Sequence, residues 1–313
     1  MTAAPAAPVP FILFKAGGPI VASDTELYRP PWEPDTRLGS KLVGWWSARA
    51  PSTLTRDGNG NVSAWRSLVG NLVANHISAY NGPQPVYEPT GWQYRDVNGN
   101  QVGTGPAVRF PVAPSSLAGP MLRCENFPRR DGQTTYVYLA GERHDGALSG
   151  KVLAVRSMVT IEPPQIPTGR RPQVCLGFVN DELDPAKTML VAGGHIGAPD
   201  RNNARVDGVT VGRQFAAVAS FAPDGLAQVS YDGGAAGAKG YSFDSDAPAN
   251  ALTIGGWPDA SYGTQPCRIV ELMIVTDPSP AEHAALLGYC IWSTLRPYAL
   301  PDDHAYRLDG PRM

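Results

Sequence analysis

Short apolar runs rich in β-branched and aromatic residues recur along most of the chain, and Gly, Pro, Asn and Asp separate them. Runs of this length between turn-forming residues are typical of strands in a β-sandwich or barrel. An Asp-Gly pair at residues 224–225 joins two of the runs, which indicates a hairpin. The sequence therefore predicts an all-β protein whose strands lie in KLVGWWSA (41–48), TTYVYLAGE (134–142), KVLAVRSMVTI (151–161), QVCLGFV (173–179), TMLVAGGHIG (188–197), RQFAAVASFA (213–222), LAQVSYDGG (226–234), ALTIGGW (251–257) and RIVELMIVT (268–276).

One segment near the C-terminus has helical periodicity instead. Ser279, Pro280 and Glu282 form a capping-box sequence, in which Ser279 is the N-cap and Glu282 is the third helical residue. Pro297 ends the pattern. We expect a single amphipathic helix at about 280–295 that covers an edge or an end of the sandwich, with its apolar face formed by Leu286, Leu287, Cys290, Ile291 and Leu295.

Residues 1–40 differ from the rest, because they contain many prolines and little periodicity. Proline fixes φ and removes a backbone donor, so this segment is predicted to be an extended arm. FILF (11–14) is a short apolar plug within it. Two interpretations stay open: the arm packs on its own domain, or it docks onto a neighbouring subunit.

The charge balance and the cysteines limit the partners. The net charge is −2 with a pI of about 6.2, and no basic stripe is present, so no nucleic-acid partner is expected. No apolar stretch approaches the roughly 20 residues of a membrane helix, and the N-terminus lacks the basic region of a secretory signal. None of the cysteines lies in a C-x-x-C pair, so we expect free, buried thiols in a protein made in a reducing cytoplasm, namely Cys124, Cys175, Cys267 and Cys290.

Two Asp-x-Asn-x-Asn stretches begin like calcium loops, at Asp57 and at Asp96. A complete loop has Gly at its sixth position and Glu at its twelfth. Those positions hold Val62 and Leu68 in the first stretch and Gln101 and Ala107 in the second. Asn and Gly tolerate positive φ, so both stretches are predicted to be tight turns, and no metal site or cofactor is expected.

A family resemblance runs through several of these segments. They are LVGWWSA (42–48), TRDGNGNVSAWRSLVGN (55–71), GPAVRF (105–110), RQFAAVASFAPDGLAQVSYDGG (213–234), LTIGGW (252–257) and CRIVELMIVTDPSPAEHAALLGYCIWS (267–293). Together they resemble the laminin-G-like branch of the concanavalin A-like lectin/glucanase superfamily, and more narrowly the jelly-roll domains of phage and phage-like virion proteins. The resemblance implies an antiparallel jelly-roll β-sandwich at 41–296, with an N-terminal arm at 1–40 and a C-terminal tail at 297–313.

The resemblance also implies a function. We expect a spike or fibre on the virion surface that binds host-cell surface polysaccharide, forms a homo-oligomer and contacts other virion proteins through its arm. A structural virion decoration without a ligand, and a glycoside hydrolase, are the alternatives. Members of this superfamily sometimes bind calcium through scattered loop oxygens, so a calcium site of that kind stays open.

Catalytic motifs are missing from the sequence. Glucanases of the superfamily carry a Glu-x-Asp-x-(x)-Glu strand motif, which brings two carboxylates to one face. Asp181-Glu182-Leu183-Asp184 precedes a proline in an apparent loop, and Glu271 has hydrophobic neighbours. The sequence therefore predicts a protein that is not an enzyme, with Glu271 as a structural residue.

Candidate ligand-binding residues come from loops that mix aromatic and short polar side chains. Sugars stack on exposed rings and pair their hydroxyls with Asp, Asn and Arg. The candidates are Trp257, Asp259, Tyr262, Asp200, Asn202 and Trp92. Trp257 and Tyr262 are the expected stacking platforms, with Asp259 and Asn202 as hydroxyl partners. The alternative for each loop is an ordinary turn whose aromatic residue caps the core, and Trp45, Trp46, Trp65 and Trp292 are predicted to be core residues.

Overall fold

The computed structural model describes residues 14–15, 18–19, 33–77, 83–95, 100–111, 120–128, 132–144, 156–162, 174–180, 188–193, 203–207, 212–240, 251–256, 266–294 and 299–306. The strands in chain order are β1 (Phe14–Lys15), β2 (Gly18–Pro19), β3 (Leu42–Ser47), β4 (Leu54–Arg56), β5 (Val62–Arg66), β6 (Val73–His76), β7 (Val86–Arg95), β8 (Gln101–Phe110), β9 (Leu122–Cys124), β10 (Thr135–Arg143), β11 (Arg156–Glu162), β12 (Val174–Asn180), β13 (Thr188–Gly193), β14 (Asn203–Asp207), β15 (Gln214–Phe221), β16 (Leu226–Tyr231), β17 (Gly237–Gly240), β18 (Ala251–Ile254) and β19 (Cys267–Thr276). The α-helices described are α1 (Pro34–Leu38) and α2 (Pro280–Ser293), and two short 3-10 helices lie at Gly39–Lys41 and Pro51–Thr53.

Two antiparallel sheets pack face to face and form a β-sandwich, which confirms the predicted fold class. Sheet I has the order β17-β16-β15-β10-β19-β8-β7, and β3 pairs with the part of β19 beyond β8. Sheet II has the order β14-β13-β12-β11-β18-β9-β6-β5-β4. The predicted hairpin at residues 224–225 joins β15 to β16, with Gly225 at φ 88°.

The alternation of side chains along a strand explains why sheet I is buried on both faces. In β15, every residue is buried. Phe215, Ala217, Ala219 and Phe221 point into the core between the sheets. Ala216 and Val218 point to the outer face, where they pack with residues of α2. An apolar run without polar alternation is therefore what a strand between a second sheet and a helix requires.

Helix α2 begins at the predicted capping box. The Ser279 side chain accepts from the Glu282 backbone N–H, and the Glu282 carboxylate accepts from the Ser279 N–H at 2.6 Å. The helix covers the outer face of sheet I, where Leu286 and Ile291 are fully buried. The prediction that it would cover an edge or an end is therefore wrong. Sheet I offers an apolar outer face, and an amphipathic helix buries more surface there.

The two ends of the chain depart from the sequence prediction in part. The last part of the predicted arm is a short helix, α1, and its Leu38 is buried beside α2. Proline at the first helical position is compatible with a helix start, which is why Pro34 does not keep the segment extended. Most of the remaining arm lies outside the described residues. In the predicted tail, the Tyr306 carbonyl accepts from the Trp292 indole N–H at 2.6 Å.

The first Asp-x-Asn-x-Asn stretch is a turn, as predicted. Both oxygens of Asp57 accept hydrogen bonds from within the turn, from the backbone of Asn59 and from the backbone and side chain of Asn61. These hydrogen bonds lower the pKa of Asp57, and the bond from the Asn61 side chain contributes most. Residues 96–99 of the second stretch, also predicted to be a turn, lie outside the described residues, and Arg95 and Gln101 on either side are paired.

The other core predictions are confirmed where they can be seen. The cysteines are free and buried, and Trp45, Trp46 and Trp65 lie in the core. Trp292, which was also predicted to be a core residue, is only partly buried and packs against the cluster formed by α2 and sheet I. Burial raises the pKa of the Cys267 and Cys290 thiols. Among the described helices, none is long and apolar enough to span a membrane.

Glu271 has the structural role predicted for it. It is fully buried and accepts hydrogen bonds from the Trp45 indole at 2.9 Å and from the Ser47 hydroxyl at 2.8 Å. Arg49 Nη1 lies 3.5 Å from Glu271 Oε1, and its positive charge balances the negative charge of the carboxylate. Burial raises the pKa of Glu271, while Arg49 and the two donors offset that rise in part.

Candidate functional site

A row of polar residues crosses the outer face of sheet I. Strand register places Arg109 of β8 opposite Arg268 of β19, Arg268 opposite Glu142 of β10, and Glu142 opposite Gln214 of β15. Directly opposed residues in a sheet point to the same face. We call these four residues the polar row. Gln214 is two residues from Ala216, so the row lies on the face that α2 covers further along the strands.

Hydrogen bonds connect the polar row to strand β7. Arg268 donates from Nε to Glu88 at 2.7 Å and from Nη1 to Glu142 at 3.3 Å. Arg109 donates to the other oxygen of Glu88. His144 Nε2 lies 3.6 Å from Glu142. Each of the two arginines is therefore held in place by a carboxylate, and Arg268 by two.

The pKa values of the two carboxylates shift in opposite directions. Burial alone would raise the pKa of Glu88, but the hydrogen bonds from Arg268 and Arg109 outweigh it, and the pKa is lowered. Burial raises the pKa of Glu142, and Arg268 offsets this only in part. Burial, with the Arg268 charge, also lowers the pKa of His144. Glu88 thus stays charged more firmly than Glu142 does.

A pocket of about 750 Å³ lies over one end of the polar row. Its lining is mainly polar and comes from strands distant in sequence and from the segments beside them. The described lining residues are Thr90, Gly91, Gln93, Arg95, Gln101, Thr104, Glu142, Gly212, Arg213, Gln214, Asp232, Arg268 and Ala299. This size lies in the range of about 300–1,000 Å³ that is usual for small-ligand sites.

Gln214 has an unusual position in this lining. The residue is only 8% exposed, and neither the oxygen nor the nitrogen of its amide has a hydrogen-bond partner in the described part of the protein. The amide is close enough to Glu142 to favour the charged carboxylate, but it does not reach normal hydrogen-bond geometry. Buried polar groups are nearly always paired, so an unpaired buried amide is an exception within the described residues.

Two arginines on opposite sides of the pocket are positioned by their neighbours. Arg213 lies 5.0 Å over the Tyr231 ring, and its Nη2 is 3.5 Å from Asp232. Asp232 is buried and also accepts from the Ala216 backbone at 2.8 Å. On the other side, Arg95 donates to Gln93 at 2.7 Å.

The structure describes one of the predicted ligand residues. Trp92 is fully buried against Ala107 and Val270, and its indole N–H donates to the Thr294 carbonyl at 3.1 Å. A ring in this position offers no face to a sugar, so Trp92 is corrected to a core residue. Its strand neighbours Gln93 and Arg95 line the pocket instead. The other five candidates fall outside the described residues, namely Trp257, Asp259, Tyr262, Asp200 and Asn202.

Sequence reasoning missed the polar row. A weak signal was present, because Glu142, Gln214 and Arg268 are polar residues near the ends of otherwise apolar strands. Their assembly depends on β8, β19, β10 and β15 being neighbours, although β19 follows β8 by more than a hundred residues. The pattern of apolar and polar residues within one strand does not show which strands lie beside it in the sheet.

No family model matches this chain, and no curated protein matches it. Several solved structures do. A Trypanosoma rangeli sialidase in complex with 2,3-difluoro-KDN matches at 14% identity with a TM-score of 0.46, over 82% of this chain and 33% of the sialidase. Domain 4 of AbnA, a GH43 extracellular arabinanase from Geobacillus stearothermophilus in complex with arabinotriose, matches at 14% identity and TM-score 0.40, over 79% of this chain and 98% of that domain. An arabinofuranosidase complexed with arabinofuranosyl-alpha-1,2-xylobiose matches at 12% identity and TM-score 0.45, over 82% of this chain and 62% of that one.

These matches correct one prediction. The sequence predicted a protein that is not an enzyme, and sialidases and an arabinofuranosidase are among the proteins of similar structure. The non-enzyme prediction is therefore withdrawn. This chain spans about a third of the length of the sialidases that it matches. At these identities and TM-scores the similarity concerns the fold alone and assigns no activity to this chain.

Proposed function

We propose that this protein binds a polysaccharide in the pocket over the polar row of sheet I. The observation that carries the proposal is Gln214, whose amide is buried in the pocket lining without a hydrogen-bond partner in the described structure. A sugar hydroxyl can both donate and accept, so two neighbouring hydroxyls can satisfy an amide oxygen and nitrogen together. The surrounding charged and amide side chains hydrogen-bond sugars as well.

The test compares two glutamine variants on a panel of immobilised bacterial polysaccharides. Gln214→Leu keeps the side-chain size and removes both polar atoms. Because no hydrogen bond is lost, folding stability should be unchanged or higher. Gln228→Leu is the matched control, since Gln228 is exposed on β16 and is not among the described lining residues.

We expect the wild type and Gln228→Leu to bind at least one polysaccharide equally, and Gln214→Leu to bind it at least about tenfold more weakly. Equal binding by Gln214→Leu would contradict the proposal. A wild type that binds nothing on the panel would also contradict it, and would indicate that an ordered water satisfies the amide.

The finer proposal is that the polysaccharide lies on a host cell and that the protein is a spike or fibre of a phage or phage-like particle. It is supported by the resemblance of residues 41–296. Several weak sites held together would raise avidity by about 10²–10⁴, which favours an oligomer. The loop residues Trp257, Tyr262, Asp259 and Asn202 stay candidates for contacts at the rim. Mass spectrometry of purified particles tests the location, and absence of the protein from them would remove the virion role while leaving polysaccharide binding intact.

A second candidate function is glycoside hydrolysis in the same pocket. Two carboxylates, Glu142 and Asp232, are part of the lining, and burial raises the pKa of Glu142. A carboxylic acid that keeps its proton can protonate a glycosidic oxygen, while a second carboxylate activates the attacking water. The test measures the release of reducing ends from the polysaccharide that binds. Glu142→Gln should abolish any release, and the exposed Glu125→Gln should not.

A further inference from the structure

We infer that the ligand is an anionic polysaccharide whose sugar carboxylates bind between Arg213 and Arg268. The inference rests on the proposed binding function and names the chemical class of the ligand. Arg213 directly precedes β15 and Arg268 lies in β19, so the two guanidinium groups reach the pocket from segments distant in sequence.

The charge of the lining favours an anion. Among the described lining residues there are three arginines, Arg95, Arg213 and Arg268, and two carboxylates, Glu142 and Asp232. Arg109 of the polar row is paired with Glu88 of β7, and the charges of these two residues cancel. The described part of the lining therefore carries a net positive charge, although the whole chain is slightly negative at −2.

Arg268 is suited to bind a carboxylate because it is already fixed. Its Nε and Nη1 donate to Glu88 and Glu142, and its Nη2 has no hydrogen-bond partner in the described part of the chain. Guanidinium groups match carboxylates geometrically, and a guanidinium held by its neighbours loses little side-chain entropy on binding.

Arg213 supplies a second, more accessible guanidinium. Its side chain is 43% exposed, and it is held over the Tyr231 ring beside Asp232. Gln214 follows it in the chain and has a buried N–H donor without a partner. A sugar carboxylate between the two arginines can accept from this amide, while neighbouring hydroxyls of the same sugar donate to its oxygen.

The experiment uses pairs of polysaccharides that differ only in charge. Polygalacturonate, alginate and hyaluronan are each compared with a derivative whose carboxyl groups have been reduced to alcohols, and neutral dextran and arabinan are included. Binding to the full chain is measured by calorimetry at low and at high salt. We expect at least one acidic polymer to bind, its reduced form to bind at least about tenfold more weakly, and salt to weaken the binding.

A variant of Arg213 tests whether this arginine binds the carboxylates of the polysaccharide. Arg213→Gln should remove most of the preference for the acidic polymer over its reduced form. Arg66→Gln is the matched control, since Arg66 is exposed on sheet II. Circular dichroism and thermal melting check that both variants are folded.

The outcomes separate this inference from the proposed function. If the acidic polymer and its reduced form bind equally, the ligand is not anionic, but polysaccharide binding stands. The same conclusion follows if only dextran or arabinan binds and Gln214→Leu abolishes that binding. If Arg213→Gln keeps the full charge preference, the assignment to Arg213 is wrong. If no polymer binds, both proposals fail.

Discussion

Arg268 donates to Glu142 across 3.3 Å, and the same two residues stand directly opposite each other in the register of β19 and β10. The pair is therefore fixed by the sheet itself and not by a loop. Because Glu142 and Arg268 both line the pocket, the sheet register also fixes the charge pattern that a ligand meets. A site on rigid strands holds its geometry more accurately than one on loops.

The protonation of Glu142 should control the binding of an anionic ligand. The charged or titratable groups that face it are Arg268, Glu88 and His144. The pKa of Glu142 is raised, so lowering the pH neutralises this carboxylate before the uronate groups of a ligand, whose pKa is about 3.5. Affinity for polygalacturonate should then rise as the pH falls from neutral through the raised pKa of Glu142.

Calorimetry across that pH range tests the dependence. Glu142→Gln should bind at least as tightly as the wild type at the upper end and show a weaker pH dependence. Any dependence that remains in it would come from His144, whose pKa is lowered by burial and by Arg268. Binding that weakens steadily as the pH falls would contradict this account.

Glu88 should make the folded protein less stable as the pH falls. Its pKa is lowered below the ordinary value of 4.5, against the effect of burial, by Arg268 and Arg109. The stabilisation is therefore fully present above the unfolded pKa and is lost as the pH falls through the lower, folded pKa. Glu88→Gln should be less stable than the wild type at neutral pH, and the difference should shrink below about pH 4.5. Urea denaturation at a series of pH values measures it, and a difference that is constant with pH would contradict it.

Glu271→Leu should be strongly destabilising. The substitution leaves the Trp45 N–H, the Ser47 hydroxyl and Arg49 without their shared acceptor in a buried site. Breaking a buried ion pair by removing one partner costs about 3–5 kcal/mol. Urea denaturation should show a loss of that size, against almost none for Asp303→Leu, where the side chain is exposed and makes no ion pair within the described residues. A loss of less than about 1 kcal/mol would show that Glu271 does not hold the network together.

Ser279→Ala should weaken the start of α2. The Ser279 hydroxyl accepts from the Glu282 backbone N–H, and removing an N-cap of this kind costs about 1 kcal/mol. The effect should appear as a lower midpoint in urea denaturation with an unchanged slope. Ser230→Ala on β16 serves as the control. A variant as stable as the wild type would mean that α2 is held by its apolar face alone.

Sequence reasoning succeeded where the determinants are local. The strands β10, β15 and β19 follow from apolar runs between turn residues, and the start of α2 follows from Ser279 and Glu282. The Asp57 turn is likewise local, since its bonds stay within residues 57–61. Each of these features depends on residues a few positions apart.

The site could not be predicted, because it depends on contacts between distant segments. Arg268 and Glu88 are hydrogen-bonded across a separation of 180 residues. Trp92 was misinterpreted for a similar reason. Its neighbours in sequence are polar and suggest an exposed loop, but a helix end with Thr294 packs over it. The order of strands in sheet I and the position of α2 determine where the polar row and Trp92 lie. The sequence around each residue does not specify either of them.

The central claim is that the pocket beside Gln214 is a polysaccharide-binding site, and the Gln214 side-chain amide reports on it directly. Nuclear magnetic resonance of the ¹⁵N-labelled protein resolves this amide, with Gln214→Leu providing the assignment by loss of its signal. On titration with oligosaccharides of the polymer that binds on the panel, we predict a saturable shift of the Gln214 amide signal, with the Gln228 signal unmoved. Binding that saturates while the Gln214 signal stays in place would contradict the account.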